Sequence, residues 1–161
     1  MVNPKQTFLN SLKRCNRILH DEIKDITHAE SLVQPPYNVN RLNWVLGHIL
    51  TARDNSLRLL HLPGQLSEAE RQVYGHGSQP LTDPQTATDF NVLVEKLDCT
   101  FEQLTQAISA LSEEDLGAET QFFGSPQPLY DWLVFFQWEE TYHIGQLDLL
   151  RQMSGKNDKI I

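Results

Sequence analysis

The chain has 161 residues, with 21 acidic against 13 basic side chains and a formal net charge of −8. That balance argues against nucleic acid or an anionic membrane as the main partner, and no basic cluster with interleaved aromatics overturns it. A 40% hydrophobic content is enough for one domain with its own core, without disulfides or a structural metal.

Helical periodicity dominates, and no series of alternating strands competes with it. The first helix is expected over Pro4 to Ile26, with proline in the first turn and Phe8, Leu12, Cys15, Leu19 and Ile23 or Ile26 on one face. Its other face mixes Lys13, Arg14 and Arg17 with Asp21, Glu22 and Asp25, a solvated surface. A loop runs from His28 to Asn40, where Pro35-Pro36 forbids helix. Asn40 is then the expected N-cap of a second helix, Arg41 to Leu60, with Leu42, Val45, Leu46, Ile49, Leu57 and Leu60 facing the core. After Leu62-Pro63-Gly64 comes a long connection, with a short helix at Ser67 to Val73 and a flexible Gly75-His76-Gly77-Ser78. Asp83-Pro84 opens the third helix, which runs to Leu111. Residues 113–127 are connector, with an extended piece at Thr120 to Phe123. The last helix runs from Leu129 to about Gly155. These four long helices predict an all-α, up-down four-helix bundle over residues 1–155, followed by a short polar tail, 156–161, disordered from Lys156 to Lys159.

Cys15 and Cys99 fall in the predicted helices without CxxC spacing and read as reduced packing residues of a cytosolic protein. The polar start Val2-Asn3-Pro4-Lys5-Gln6 offers no secretory apolar region, and no apolar run approaches membrane-spanning length. A cytoplasmic location is the default expectation.

The chemistry concentrates in the last helix, where Glu139 and His143 stand four residues apart in a stripe with Trp132, Phe136, Leu147 and Leu150. Two ionisable groups in a core-facing stripe are costly unless paired, and a divalent metal pairs with both. His48, mid-helix at the border of the second apolar stripe, supplies a third ligand. Two imidazoles and a carboxylate with open positions suit zinc, nickel or ferrous iron. Taken separately, His48 reads as a core residue and Glu139 with His143 as a helix pair. Glu140-Thr141-Tyr142-His143 is the Glu-x-x-His unit of di-metal bundles, but no second copy exists. The same peptide departs from the zinc-protease His-Glu-x-x-His at Glu139, which removes a defining ligand. His20, His28, His61 and His76 read as surface or capping residues. No phosphate loop or Gly-x-Ser-x-Gly elbow is present.

Three segments carry a resemblance: Trp44-x-x-Gly47-His48-Ile49 after the Pro35-Pro36 loop, the Gly124-Ser125-Pro126 connector, and Tyr142-His143-Ile144-Gly145-Gln146-Leu147. The last is close to a His-x-x-x-His-x-Gly-Gln signature, and the chain resembles the DinB/YfiT-like superfamily of small metal-binding four-helix bundles. The resemblance implies a metal triad whose first and last histidines fall on His48 and His143. Its middle histidine is here Glu139. Either the carboxylate replaces the imidazole as a ligand, or the site has decayed and Glu139 forms a buried pair with a protonated His143 or His48. The resemblance also implies thiol-dependent transfer, using a low-molecular-weight thiol whose pKa the metal lowers, and a homodimer. Trp44, Trp132, Phe136 and Tyr142 are the aromatics available to line a substrate pocket. Gln146, one turn past His143, becomes a candidate for orienting the site, and Gly145 for close helix packing. Metal-assisted hydrolysis, with Glu140 or a metal-bound water as base, and a metal-free bundle binding a small molecule or another chain are the alternatives.

Overall fold

The computed structural model describes residues 3–158 and 160. Four long helices form the body: α1 (Pro4–Ile23), α3 (Leu42–Leu59), α5 (Phe90–Ala110) and α7 (Leu129–Met153). Shorter pieces lie in the connections: α2 (His28–Ser31), α4 (Glu68–Tyr74), α6 (Glu113–Gly117) and a hairpin of β1 (Glu119–Phe122) with β2 (Ser125–Pro128).

The expected all-α four-helix bundle is present, and the cross-links define the direction of each helix. Pairs from Tyr130 to Pro4, from Thr141 to Cys15 and from Arg151 to Glu22 make α1 and α7 parallel. Asn43 reaches Thr88 and Arg53 reaches Leu97, so α3 and α5 are parallel too. Lys5 against Leu111 and His20 against Asp98 set α1 antiparallel to α5. The order is therefore up-down-down-up rather than the simple alternation expected. The cause is the connection between α3 and α5, long enough to return along the bundle before the chain descends again.

Local chemistry explains the boundaries. Asn3 caps α1 through the Gln6 N–H, and the helix stops three residues short of the expected Ile26, where Asp25 takes a positive φ of 58°. Arg41, not Asn40, occupies the N-cap of α3, without a side-chain cap bond. Ser67 and Glu70 form a capping box that starts α4. Asp83-Pro84 begins only a short 3-10 turn, Pro84–Thr86, and α5 starts afresh with Asp89 as its cap. The break is held by Tyr74, whose hydroxyl oxygen accepts the Thr88 N–H at 2.7 Å and donates to Asn43 at 2.9 Å. The hairpin turns through Phe123 and Gly124 with φ of 47° and 75°, the positive pair of a two-residue turn matched to strand twist.

The core falls into two apolar clusters. One gathers Leu19, Leu46, Ile49, Leu93, Leu97 and Leu147; the other gathers Leu12, Leu57, Leu104, Ile108, Leu133 and Phe136. Between them, at the waist of the bundle, sits a polar layer of Arg53, Glu140 and Thr100. Arg53 is 1% exposed and Glu140 2%. The guanidinium grips the carboxylate through Nη2–Oε1 at 2.6 Å and Nε–Oε2 at 3.2 Å, and Nη1 donates to the Leu97 carbonyl at 2.9 Å. Every charge in that layer has a partner, as burial demands.

The polar tail is tied down in its described part. Both oxygens of Asp158 accept from Arg151, at 2.8 and 2.9 Å, and Lys156 pairs with Glu30 at 3.2 Å. Lys159, also assigned to the tail, lies outside the described residues. Among the described residues, no helix is long and apolar enough to cross a membrane.

Candidate metal centre

His48 sits in the middle of α3, and Glu139 and His143 lie one turn apart on α7, so the antiparallel packing of these helices brings the three together. One ligand atom from each of the three lies within 4.8 Å of the others. The two imidazoles meet edge to face with ring centroids 4.6 Å apart. His143 Nε2 is 3.7 Å from Glu139 Oε2.

The phase of α7 differs from the sequence expectation in one respect. The buried seam runs through Leu133, Phe136, Glu140, Ile144, Leu147 and Arg151. Glu139 and His143 stand at its flank, partly open to solvent. Glu140, considered as a base from the sequence, is instead committed to Arg53 inside the core.

Both imidazoles are oriented for ligation. His48 Nδ1 lies 2.7 Å from the Tyr74 carbonyl, which only accepts, so the proton is on Nδ1 and the Nε2 lone pair is free. His143 Nδ1 donates in the same way to Gln146 Oε1 at 3.0 Å. Such partners fix tautomer and ring direction in metal sites. Burial, the largest influence, lowers the His48 pKa; the Tyr74 carbonyl opposes it, while the neighbouring His143 lowers it further. His48 is therefore neutral and ready to donate its lone pair at physiological pH. Trp44 stacks on the His48 ring at 4.8 Å and 9°, and its own indole N–H donates to Val73 at 2.9 Å.

The connection that supplies the Tyr74 carbonyl is anchored in turn. Fully buried Asp54 accepts the Leu66 N–H at 3.3 Å and pairs with Arg71, pinning α4 to α3. Gly47 completes the arrangement, because a Cβ there would overlap the Tyr74 ring. Gly145 has no such role: a Cβ at that position meets nothing within 4 Å, so the close packing expected there is absent.

A cavity of about 320 Å³ opens against His48 and Glu139. Its walls include Phe123, Phe135 and Phe136, with Thr51, Asn55 and His76 as polar members. Of the pocket aromatics expected from sequence, Phe136 lines it, Trp44 backs His48, Tyr142 packs edge-on against His143 at 5.1 Å, and Trp132 lies behind Phe136 at 6.3 Å. His76 and Phe123 were not legible as site residues, since both sit in turns with no helical spacing to place them. The remaining histidines are structural or peripheral. His28 accepts the Phe90 N–H at 3.2 Å, His20 pairs with Asp98 at 2.8 Å, and His61 lies in the turn after α3 at a positive φ of 57°.

The fold and donor set define an all-α bundle with a two-histidine, one-carboxylate cluster able to hold a divalent ion. The chain belongs to the DinB superfamily, whose family profile matches residues 11–147. A solved structure of a conserved protein from Enterococcus faecalis superposes with a TM-score of 0.72 at 18% identity, covering 95% of this chain and 98% of that one. At that identity the likeness speaks for the fold. No curated protein matches the chain.

Proposed function

We propose that the chain is a divalent-metal-dependent enzyme of thiol-linked group transfer, acting on an apolar electrophile with a low-molecular-weight thiol. The supporting observation is the convergence of His48, Glu139 and His143 beside an apolar cavity, with both Nδ1 atoms already engaged. That donor set fits zinc, nickel or ferrous iron. The ion, when bound, supplies a Lewis acid that lowers the pKa of a thiol or water at neutral pH.

The protein's own residues do the rest. His48 and His143 would supply imidazole nitrogens to the ion and Glu139 a carboxylate oxygen, where a site of three imidazoles would have only nitrogens. Phe123, Phe135 and Phe136 form the apolar wall that receives the apolar part of the electrophile. Sulfur attacks the electrophilic carbon, a C–S bond forms, and the departing group leaves with the electron pair of its own bond. The thiol proton passes to solvent or to His76 on the cavity wall. Hydrolysis with Glu140 as base lacks support, because Arg53 holds both of its oxygens.

The same reading takes the protein as a cytoplasmic homodimer. The exposed row of Trp138, Tyr142 and Leu149 on α7 is the apolar surface available for pairing, and light scattering in solution tests it.

The function is tested by elemental mass spectrometry on untagged protein, followed by consumption of an electrophile such as an aryl halide with and without added thiol. Near-stoichiometric metal that disappears in His48→Ala and His143→Ala, together with turnover that requires thiol, is the expected result. Absence of metal after incubation with excess divalent ions would sink the enzyme reading.

A further inference from the structure

A second cavity, of about 450 Å³, lies apart from the metal centre, between α1, α7 and the C-terminal segment. Three carboxylates line it, Glu22, Asp148 and Asp158, together with the aliphatic side chains of Ile18, Ile144 and Ile160. Glu22 is only 1% exposed, and its Oε2 has no hydrogen-bond partner among the described residues. A buried carboxylate oxygen without a donor is costly.

The nearby cation makes no hydrogen bond to it. Arg151 spends Nη2 on both oxygens of Asp158 and Nη1 on the backbone carbonyls of Glu22 and Lys24, while its Nε is itself without a partner among the described residues. The charges of Asp148, Asp21 and Asp158 act in the same sense as burial, raising the Glu22 pKa against the opposing pull of Arg151. The pocket therefore combines an apolar wall with an excess of carboxylates and an oxygen that lacks a donor among the described residues.

We propose that this cavity binds a primary alkylammonium group, with Glu22 and Asp148 taking the charged head and the isoleucines covering the methylene stem. An ammonium offers three N–H donors on a compact charge, and its stem matches the aliphatic wall. A metal ion fits less well. Among the described residues, the only histidine, cysteine or carboxylate group whose ligand atoms converge within 4.8 Å is the one around His48. The ammonium has two chemical sources, a free alkylamine or the lysine side chain of another protein. Neither depends on the metal centre being active.

The test is titration of the full-length protein with pentylamine, followed by amide chemical shifts and calorimetry, with pentanol as the uncharged control. Saturable shifts at Ile144, Gly145 and Asp148, absent with pentanol, are expected. Glu22→Gln should weaken binding roughly tenfold or more, the worth of one charge-assisted hydrogen bond. Asp148→Asn, an exposed position that leaves the core untouched, should weaken it in the same direction. Equal binding of Nα-acetyl-lysine methylamide points to a lysine side chain as the natural ligand; pentylamine binding alone points to a free amine. No shift at saturating amine, or unchanged affinity in both variants, overturns the site.

Discussion

The imidazole of His48 and the backbone carbonyl of Tyr74 are joined by a 2.7 Å hydrogen bond, which couples a residue of the bundle core to the end of α4. The bond fixes the histidine's tautomer and at the same time makes the site depend on a connection outside the four long helices. Gly47 allows it, since the Tyr74 ring occupies the space where a side chain at that position would start. Gly47→Ala should therefore destabilise the fold by about 1–3 kcal/mol through overpacking. It should weaken metal binding as well, measured by urea unfolding and by competition with a chelating dye.

Gln146 offers a subtler test, because it touches His143 and no other member of the cluster. Gln146→Leu should reduce metal affinity roughly 10- to 100-fold while leaving the unfolding midpoint of the metal-free protein nearly unchanged. Glu139→His, which would make the cluster three imidazoles, should keep the metal and shift preference toward softer ions. Competition between zinc and manganese in both proteins reads that shift directly.

At the waist of the bundle, Glu140→Ala leaves the Arg53 guanidinium buried without its partner and should cost about 3–5 kcal/mol. The double change Arg53→Met with Glu140→Leu should recover most of that loss. Chemical denaturation of the wild type and the two variants compares them, and a double variant no more stable than Glu140→Ala would contradict the pairing.

Glu22 makes stability depend on pH in a definite direction. Burial, then the nearby Asp148, raise its pKa in the folded state above the ordinary value of about 4.3. The folded protein therefore holds a proton that the unfolded chain has already released. That contribution is fully present below the unfolded value and is lost as pH rises through the folded one. Glu22→Gln, which cannot ionise, should gain on the wild type as pH climbs from about 4.3 to 7, read from urea midpoints. A gap that narrows instead would show that Glu22 is stabilised as a carboxylate.

Phe123 adopts a φ of 47°, a conformation that β-carbon sterics disfavour, while the residue is 68% exposed at the cavity wall. Asparagine tolerates that conformation better. Phe123→Asn should preserve the fold and the metal while weakening binding of an apolar electrophile, seen as a raised KM. Unchanged kinetics would remove the ring from substrate recognition.

Much of this was legible from spacing. The repeats in α1, α3, α5 and α7 gave helix positions, and the i,i+4 pair Glu139 and His143 with a central His48 marked the cluster. What periodicity left open was phase at the level of one residue. Glu139 and Glu140 are adjacent carboxylates, and only the partner on α3, Arg53, decides which of them enters the core. Direction was hidden for a related reason, since the length of a connection does not say whether it returns along the bundle. The break before α5 depends on the Tyr74 hydroxyl, a contact across fourteen positions that no local pattern encodes.

The pairing of α3 with α7 also bears on how the molecule holds together over time. Arg53 and Glu140, at the same seam as the metal cluster, are 87 positions apart in the chain. An ion shared by His48, Glu139 and His143 would thus close a loop spanning more than half the polypeptide, acting as a reversible staple. Occupancy and global unfolding then become linked equilibria, with about 2.7 kcal/mol of added stability at a free ion concentration of 100 times Kd. Any substitution that loosens these two helices, however distant from the ligands, will register as faster loss of the ion.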